Sequence, residues 1–173
     1  MSLKTAKPSD IPQIQRLMSR AIAELQRDYL NPEQIDASRA GMGLDTQLIE
    51  DGTYFCVWSG GVLAGCGGWS FRSTLYGGNH TAGRNAARLD PAVDNARIRA
   101  MYTHPDFTRR GVGRLILEQS EKAAKSAGFS MVEMAATLAG EPFYLRCGYK
   151  VIRRWEDESG PVSFPLITMQ KSI

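Results

Sequence analysis

The passage from residue 96 to 116, ARIRAMYTHPDFTRRGVGRLI, restricts the fold of this chain more than any other. Ala96 to Thr103 alternates as a strand does, and His104, Pro105 and Asp106 form the loop after it. Arg109-Arg110-Gly111-Val112-Gly113-Arg114 then opens a segment of helical period. A strand that runs through a glycine-rich turn into a helix makes an anion cradle. The first N–H groups of the helix have no partner inside it, and its dipole favours negative charge there. Two glycines let a ligand approach the backbone, and three arginines add positive charge. The expected occupant is a pyrophosphate.

A chain of 173 residues has the length of one domain with its own core, and residues 1–173 are read as a single domain. With 43% apolar and 23% charged residues it has the composition of an ordinary soluble globular protein. The net charge of +3 is too slight for a bulk polyanion partner, so no nucleic acid is expected. No apolar window reaches the roughly 18 residues of a membrane span, so no membrane partner is expected either. Cys56, Cys66 and Cys147 form no CxxC pair, and His80 and His104 are the only histidines. A zinc site needs about four close ligands, so no metal is expected. An odd cysteine count with no leader segment fits a reducing, cytoplasmic setting.

Taken in order, Leu3 to Lys7 alternates weakly as a first strand, and Ser9 is placed to cap the helix that follows. Ile11, Ile14, Leu17, Met18, Ala21, Ile22 and Leu25 recur at helical spacing, giving an amphipathic helix to about Asp28. Asn31-Pro32 starts a second helix, to about Ala40. Thr53 to Ser59 and Val62 to Ser70 read as two strands of a hairpin turned by Gly60-Gly61. Residues 71 to 95, with three glycines and Pro91, read as a long loop of the kind that is often functional. After the central strand, apolar positions 112, 115, 116, 123, 124 and 127 make the buried stripe of a helix ending near Gly128. Phe129 to Ala136 is a strand, Glu141 to Cys147 a short helix, and Tyr149 to Trp155 and Ser163 to Met169 a final pair of strands.

Three phosphate-binding patterns compete for the glycine turn. A Walker A loop needs Gly-Lys-Ser/Thr, which is absent. The dinucleotide fingerprint needs a third glycine where Ile116 stands, and a tighter turn than His104 to Arg110 allows. Gly111, Gly113 and, roughly 20 residues on, Glu133 do fit that pattern. The third pattern fits best. Met101-Tyr102-Thr103-His104-Pro105-Asp106-Phe107-Thr108-Arg109-Arg110-Gly111-Val112-Gly113-Arg114 closely resembles motif A of the GNAT superfamily of N-acetyltransferases. Ala127-Gly128-Phe129 follows in the right place, and Phe143-Tyr144-Leu145-Arg146-Cys147-Gly148-Tyr149 resembles the superfamily's FYxxxGF segment. Thr108 departs from the usual Gln or Arg at the head of the loop, with Arg109 beside it.

The resemblance implies an α/β fold of the GNAT type. Its sheet is mixed, mostly antiparallel and twisted, with about six to seven strands flanked by about four helices. It implies a transferase that moves the acetyl group of acetyl-CoA, as acyl-donor cosubstrate, to a primary amine of a small molecule or peptide in a ternary complex. The backbone from Arg109 through Arg110, Gly111, Val112 and Gly113 to Arg114 would hold the pyrophosphate. The backbone of Met101, Tyr102 and Thr103 would pair with the pantetheine arm like an added strand. Thr137 and Tyr144 would complete the cofactor site. Tyr144 matches the family tyrosine that faces the CoA sulfur and would protonate the departing thiolate. Glu133, on the strand flanking the cleft, is the candidate general base, with Asp90 and Asp94 as alternatives. His104 and Cys147 are read as structural. The first two helices and the 71–95 loop would supply the acceptor wall. A homodimer built on the last two strands is compatible with the resemblance. The main alternative is a non-catalytic acyl-CoA-binding sensor on the same fold.

Overall fold

The apolar periods become elements of the computed structural model, which describes all 173 residues. Along the chain run β1 (Ser2–Thr5), α1 (Ile11–Leu25), α2 (Pro32–Ser38), α3 (Thr46–Glu50), β2 (Tyr54–Ser59), β3 (Val62–Ser70) and β4 (Ala96–Thr103). Then come α4 (Val112–Ser126), β5 (Met131–Ala136), α5 (Glu141–Arg146), β6 (Lys150–Asp157) and β7 (Phe164–Ser172). The seven strands form one sheet in the order β1-β2-β3-β4-β5-β7-β6. Only β4 and β5 are parallel neighbours; every other pair is antiparallel.

Period decides what faces where. On β2, Tyr54 and Cys56 join the core under α1, where Ile14, Leu17, Met18, Ala21 and Ile22 are buried. The intervening Phe55 and Val57 join the cores under α4, with Leu117 and Ile116. Burial on both faces explains why β2 and β3 read as nearly continuous apolar runs. Gly60 and Gly61 turn the hairpin with φ of +56° and +79°, the two positive values a two-residue loop of this type requires.

Two local expectations are corrected. Ser9 does not cap α1: it lies inside a 3-10 turn, Pro8–Asp10, and the Asp10 carboxylate accepts from the Lys7 N–H at 2.8 Å. A fifth helix, α3, stands in the stretch that Gly41, Gly43 and Asp45 loosen. Asp45 starts it by accepting from the Gln47 N–H at 3.1 Å. At α2 the sequence signal holds: Asn31 and Gln34 cap each other reciprocally, at 2.8 and 3.1 Å.

The sheet opens between β4 and β5. β4 and β5 are bridged only at Ala96–Val132 and Arg97–Glu133. Beyond Arg97, β4 carries a bulge. Gly68 faces Arg99 while Cys66 faces Tyr102, so β4 holds one residue more than β3 over this span. Ala100 takes up the extra length at φ +50°, and the buried Tyr54 hydroxyl donates to its carbonyl at 2.7 Å. A bulge bends its strand and increases its twist. β4 thereby leaves β5, and its edge from Ile98 onward has no ladder partner on that side.

Candidate active site

The gap between the two strands is a cavity of about 130 Å³. Ile98 to Tyr102 form one wall, Met134 to Thr137 the other, and Gly140 and Tyr144 lie at one end. Met101 and Tyr102 therefore sit on the cavity, and Thr103 continues β4 in pairing with Gly65. Thr137 lies just past β5, where its hydroxyl accepts from the Gly140 N–H at 3.2 Å. Tyr144 is buried with its ring against Gly140; a Cβ there would approach Tyr144 Cε2 to 2.9 Å. Burial pushes the Tyr144 phenol well above its ordinary 10.0, with Cys147 and Tyr102 adding to the shift. At neutral pH Tyr144 therefore keeps its proton.

The glycine turn meets β4 through a short 3-10 turn, Pro105–Phe107. Arg109 has φ +64° and Gly111 φ +82°, both left-handed, and Gly111 caps α4. Successive N–H groups around left-handed residues make an anion-binding nest. The Leu115 N–H bonds back to the Gly111 carbonyl at 3.0 Å, so the N–H groups of Val112, Gly113 and Arg114 precede the first intrahelical bond. Space above Gly111 is open: a Cβ there would meet nothing within 4 Å. The side chains of Arg109, Arg110 and Arg114 are exposed. Arg110 lies over the Phe107 ring at 5.2 Å, and Arg114 approaches Glu118 at 3.8 Å. An exposed pair of that kind is worth about 0–1 kcal/mol, so Arg114 is scarcely restrained. This exposed, cationic nest suits a diphosphate. The two sequence motifs also touch: a Cβ on Gly113 would come within 3.3 Å of Phe143 Cζ, so the FY segment packs against the start of α4.

The family model of the acetyltransferase (GNAT) family matches residues 18–149, a span that holds both motifs and both cavity walls. The chain belongs to the GNAT acetyltransferase family. Solved structures agree on the fold. A GCN5-related N-acetyltransferase from Rhodopseudomonas palustris superposes with a TM-score of 0.72 at 20% identity, over 99% of this chain and 95% of that one. The PaiA N-acetyltransferase of Thermoplasma acidophilum, solved with coenzyme A, gives 0.65 at 12%, over 99% and 98%. YncA of Salmonella typhimurium, solved with acetyl-CoA, gives 0.64 at 16%, over 99% and 93%. No curated relative matches the sequence.

Within this GNAT fold the remaining expected residues divide. Glu133 stands at the joined end of β4 and β5, where Arg97 Nη1 donates to its carboxylate at 2.9 Å and Asn95 Nδ2 at 3.4 Å. It is not part of the cavity wall. Asp90 and Asp94 are engaged with each other's turn, the Asp94 carboxylate accepting from the Asp90 N–H at 2.7 Å. His104 links the loop to α1 through Arg20 at 3.0 Å and accepts from the Asp106 N–H at 3.2 Å. Cys147 is half-buried, and burial raises its thiol. Sequence reading named Tyr102 for its backbone and placed Tyr76 in the loop of the acceptor wall, but it missed Arg99 and the side-chain partners of all three. Tyr102 accepts from the Gly43 N–H at 3.0 Å through its hydroxyl. Tyr76 donates to Asp157 at 2.8 Å, and burial followed by that carboxylate pushes its phenol to about 12. Arg99 is buried beside Asp45. Strand alternation assigns such residues a face; the partners just named are 54 to 81 residues away in sequence, where no periodicity reaches.

No helix is long and apolar enough to cross a membrane. No group of three or more His, Cys, Asp or Glu side chains is placed to hold a metal ion.

Proposed function

We propose that this protein transfers the acetyl group of acetyl-CoA to the primary amine of a small molecule or peptide, by direct attack within a ternary complex. The observation that carries this reading is the continuity of three features: the nest at Gly111, the unpaired edge of β4 and the buried Tyr144 hydroxyl beside the same cavity. The nest seats the pyrophosphate. The N–H and C=O groups between Met101 and Thr103 that point away from β3 receive the amide-rich arm as a strand would. That arm directs the thioester toward Tyr144 and Thr137.

Acetyl-CoA supplies an activated acyl group. The amine nitrogen forms a bond to the acyl carbon, the carbon–sulfur bond breaks, and the sulfur leaves as thiolate. Tyr144, which burial keeps protonated, delivers its proton to that sulfur. The amine must shed a proton in turn, because an alkyl amine with an ordinary value near ~10.4 is mostly protonated at neutral pH. Glu133 accepts that proton only through bridging water, since Arg97 holds its carboxylate outside the cavity wall.

The test is release of CoA thiol from acetyl-CoA over a panel of amines, with wild-type protein and Tyr144→Phe. At least one amine should accelerate release, and the variant should lose roughly 10²-fold or more in kcat, the usual scale of acid–base assistance. Binding of acetyl-CoA with no acceleration by any amine, and no effect of Tyr144→Phe, would leave the sensor reading standing instead.

A further inference from the structure

The acceptor end of the cavity is closed by two segments laid across each other. The Asn79 N–H donates to the Leu44 carbonyl at 2.8 Å, the Thr46 N–H to Asn79 Oδ1 at 3.0 Å, and the Thr81 hydroxyl to the Ala40 carbonyl at 2.7 Å. Behind this roof lies a cluster of three charges. Arg99 lines the cavity, yet its side chain is only 2% exposed. Its Nη2 donates to Asp45 at 3.1 Å and to the Gly77 carbonyl at 2.7 Å, and its Nη1 to the Thr74 carbonyl at 3.2 Å. Asp45, 3% exposed, also receives Arg84.

One carboxylate thus faces two guanidiniums, which stay charged at any relevant pH. The cluster carries one uncompensated positive charge in a setting where water screens it poorly. The nearby Arg72–Asp51 pair, at 2.7 Å, is neutral by itself and offsets nothing. Both Arg84 Nε and Arg99 Nε are buried without a hydrogen-bond partner. An unpartnered buried donor is costly and is ordinarily completed by water or by a ligand group. Asp45 also caps α3, so the single negative charge is already divided between a helix end and two cations.

We infer that this cluster receives an anionic group on the acceptor, and that the substrates of this site are small amines bearing a carboxylate. The inference rests on the transfer reading above and names its substrate class. Of the three side chains only Arg99 is on the cavity wall, and a carboxylate in the cavity brings the missing negative charge beside it. The cavity, about 130 Å³, also takes the thioester end of the cofactor, so it leaves the acceptor little room.

Matched amines decide the point. Glycine, β-alanine and γ-aminobutyrate are compared with their carboxamides, with the alkylamines lacking the carboxylate, and with phosphoethanolamine, at saturating acetyl-CoA. The best acid should exceed its carboxamide in kcat/KM by roughly tenfold or more, the scale of one charge-assisted hydrogen bond. Arg84→Gln, at a side chain 27% exposed and so tolerant of change, should shrink that ratio toward one. Equal use of acids, amides and alkylamines overturns the inference and leaves acetyl transfer intact. A preference for phosphoethanolamine, or an acid-to-amide ratio that survives Arg84→Gln, also overturns it. Failure of every amine to accelerate thiol release removes the transfer reading, and this inference with it.

Discussion

Replacing Gly111 by Asp separates cofactor binding from folding more cleanly than any other change in the glycine turn. Gly111 sits at φ +82°, where a non-glycine residue costs ~1–2 kcal/mol, and Asp is among the residues that tolerate the region best. No packing penalty is added, because a Cβ meets nothing within 4 Å. A loss of about 1 kcal/mol lowers Tm by roughly 2–4 °C for a chain of this length. Acetyl-CoA at about 100 times its Kd stabilises the wild type by ~2.7 kcal/mol, or roughly 5–11 °C on the same scale. A carboxylate about 4 Å from a phosphate charge is repelled by ~4 kcal/mol at the effective dielectric of a protein surface. That exceeds the whole ligand effect. A thermal-shift titration should therefore show Gly111→Asp folded, slightly less stable, and insensitive to acetyl-CoA. Gly111→Ala, with the strain but not the charge, should keep part of the ligand shift. A full ligand shift in Gly111→Asp would refute the nest as the pyrophosphate site. Gly113 is a poorer probe, because a Cβ there presses on Phe143 at 3.3 Å and disturbs the FY segment as well.

Other outcomes follow from the same geometry. Glu133→Gln should lower kcat; a lower Tm with an unchanged kcat would mark Glu133 as only the partner of Arg97. Tyr54→Phe leaves the Ala100 carbonyl without its donor, so it should cost ~1–3 kcal/mol in denaturant unfolding and raise the KM for acetyl-CoA as the bulge relaxes. An unchanged KM would show that the bulge holds itself open. Stability should fall as pH rises past about 9 to 10. Burial raises the phenols of Tyr54, Tyr102, Tyr144 and Tyr149 and the thiols of Cys56 and Cys66. Above their ordinary values the unfolded chain therefore binds fewer protons than the folded one, and ΔG of unfolding declines with pH. A flat urea midpoint from pH 8 to 11 would contradict this.

What the sequence disclosed was local. The Gly60-Gly61 turn, the stripe of α1 and the strand–turn–helix around Gly111 each rest on neighbours within a few residues, and all three stand in the structure. The FY segment was legible as a motif, but its contact with Gly113 was not, because that contact joins α5 to α4 across the fold. Helix α3 escaped notice because five residues between glycines show no period; the Asp45 cap was its one available signal. The bulge at Ala100 left no trace, since alanine at φ +50° is what glycine usually marks. Glu133 was correctly placed on the strand flanking the cleft, but its tie to Arg97 depends on a register that only the assembled sheet fixes. The same holds for Arg99, whose partners come from two loops.

Acyl transfer to nitrogen at the opened edge of β4 can be followed directly by isotope. Acetyl-CoA labelled in its acetyl group, incubated with the protein and the best amine, tests it in one mass spectrum. The label should move to the amine nitrogen with one CoA thiol released per acetyl transferred, and Tyr144→Phe should slow both together. Label that stays on CoA, or leaves only as acetate whatever amine is present, would contradict it.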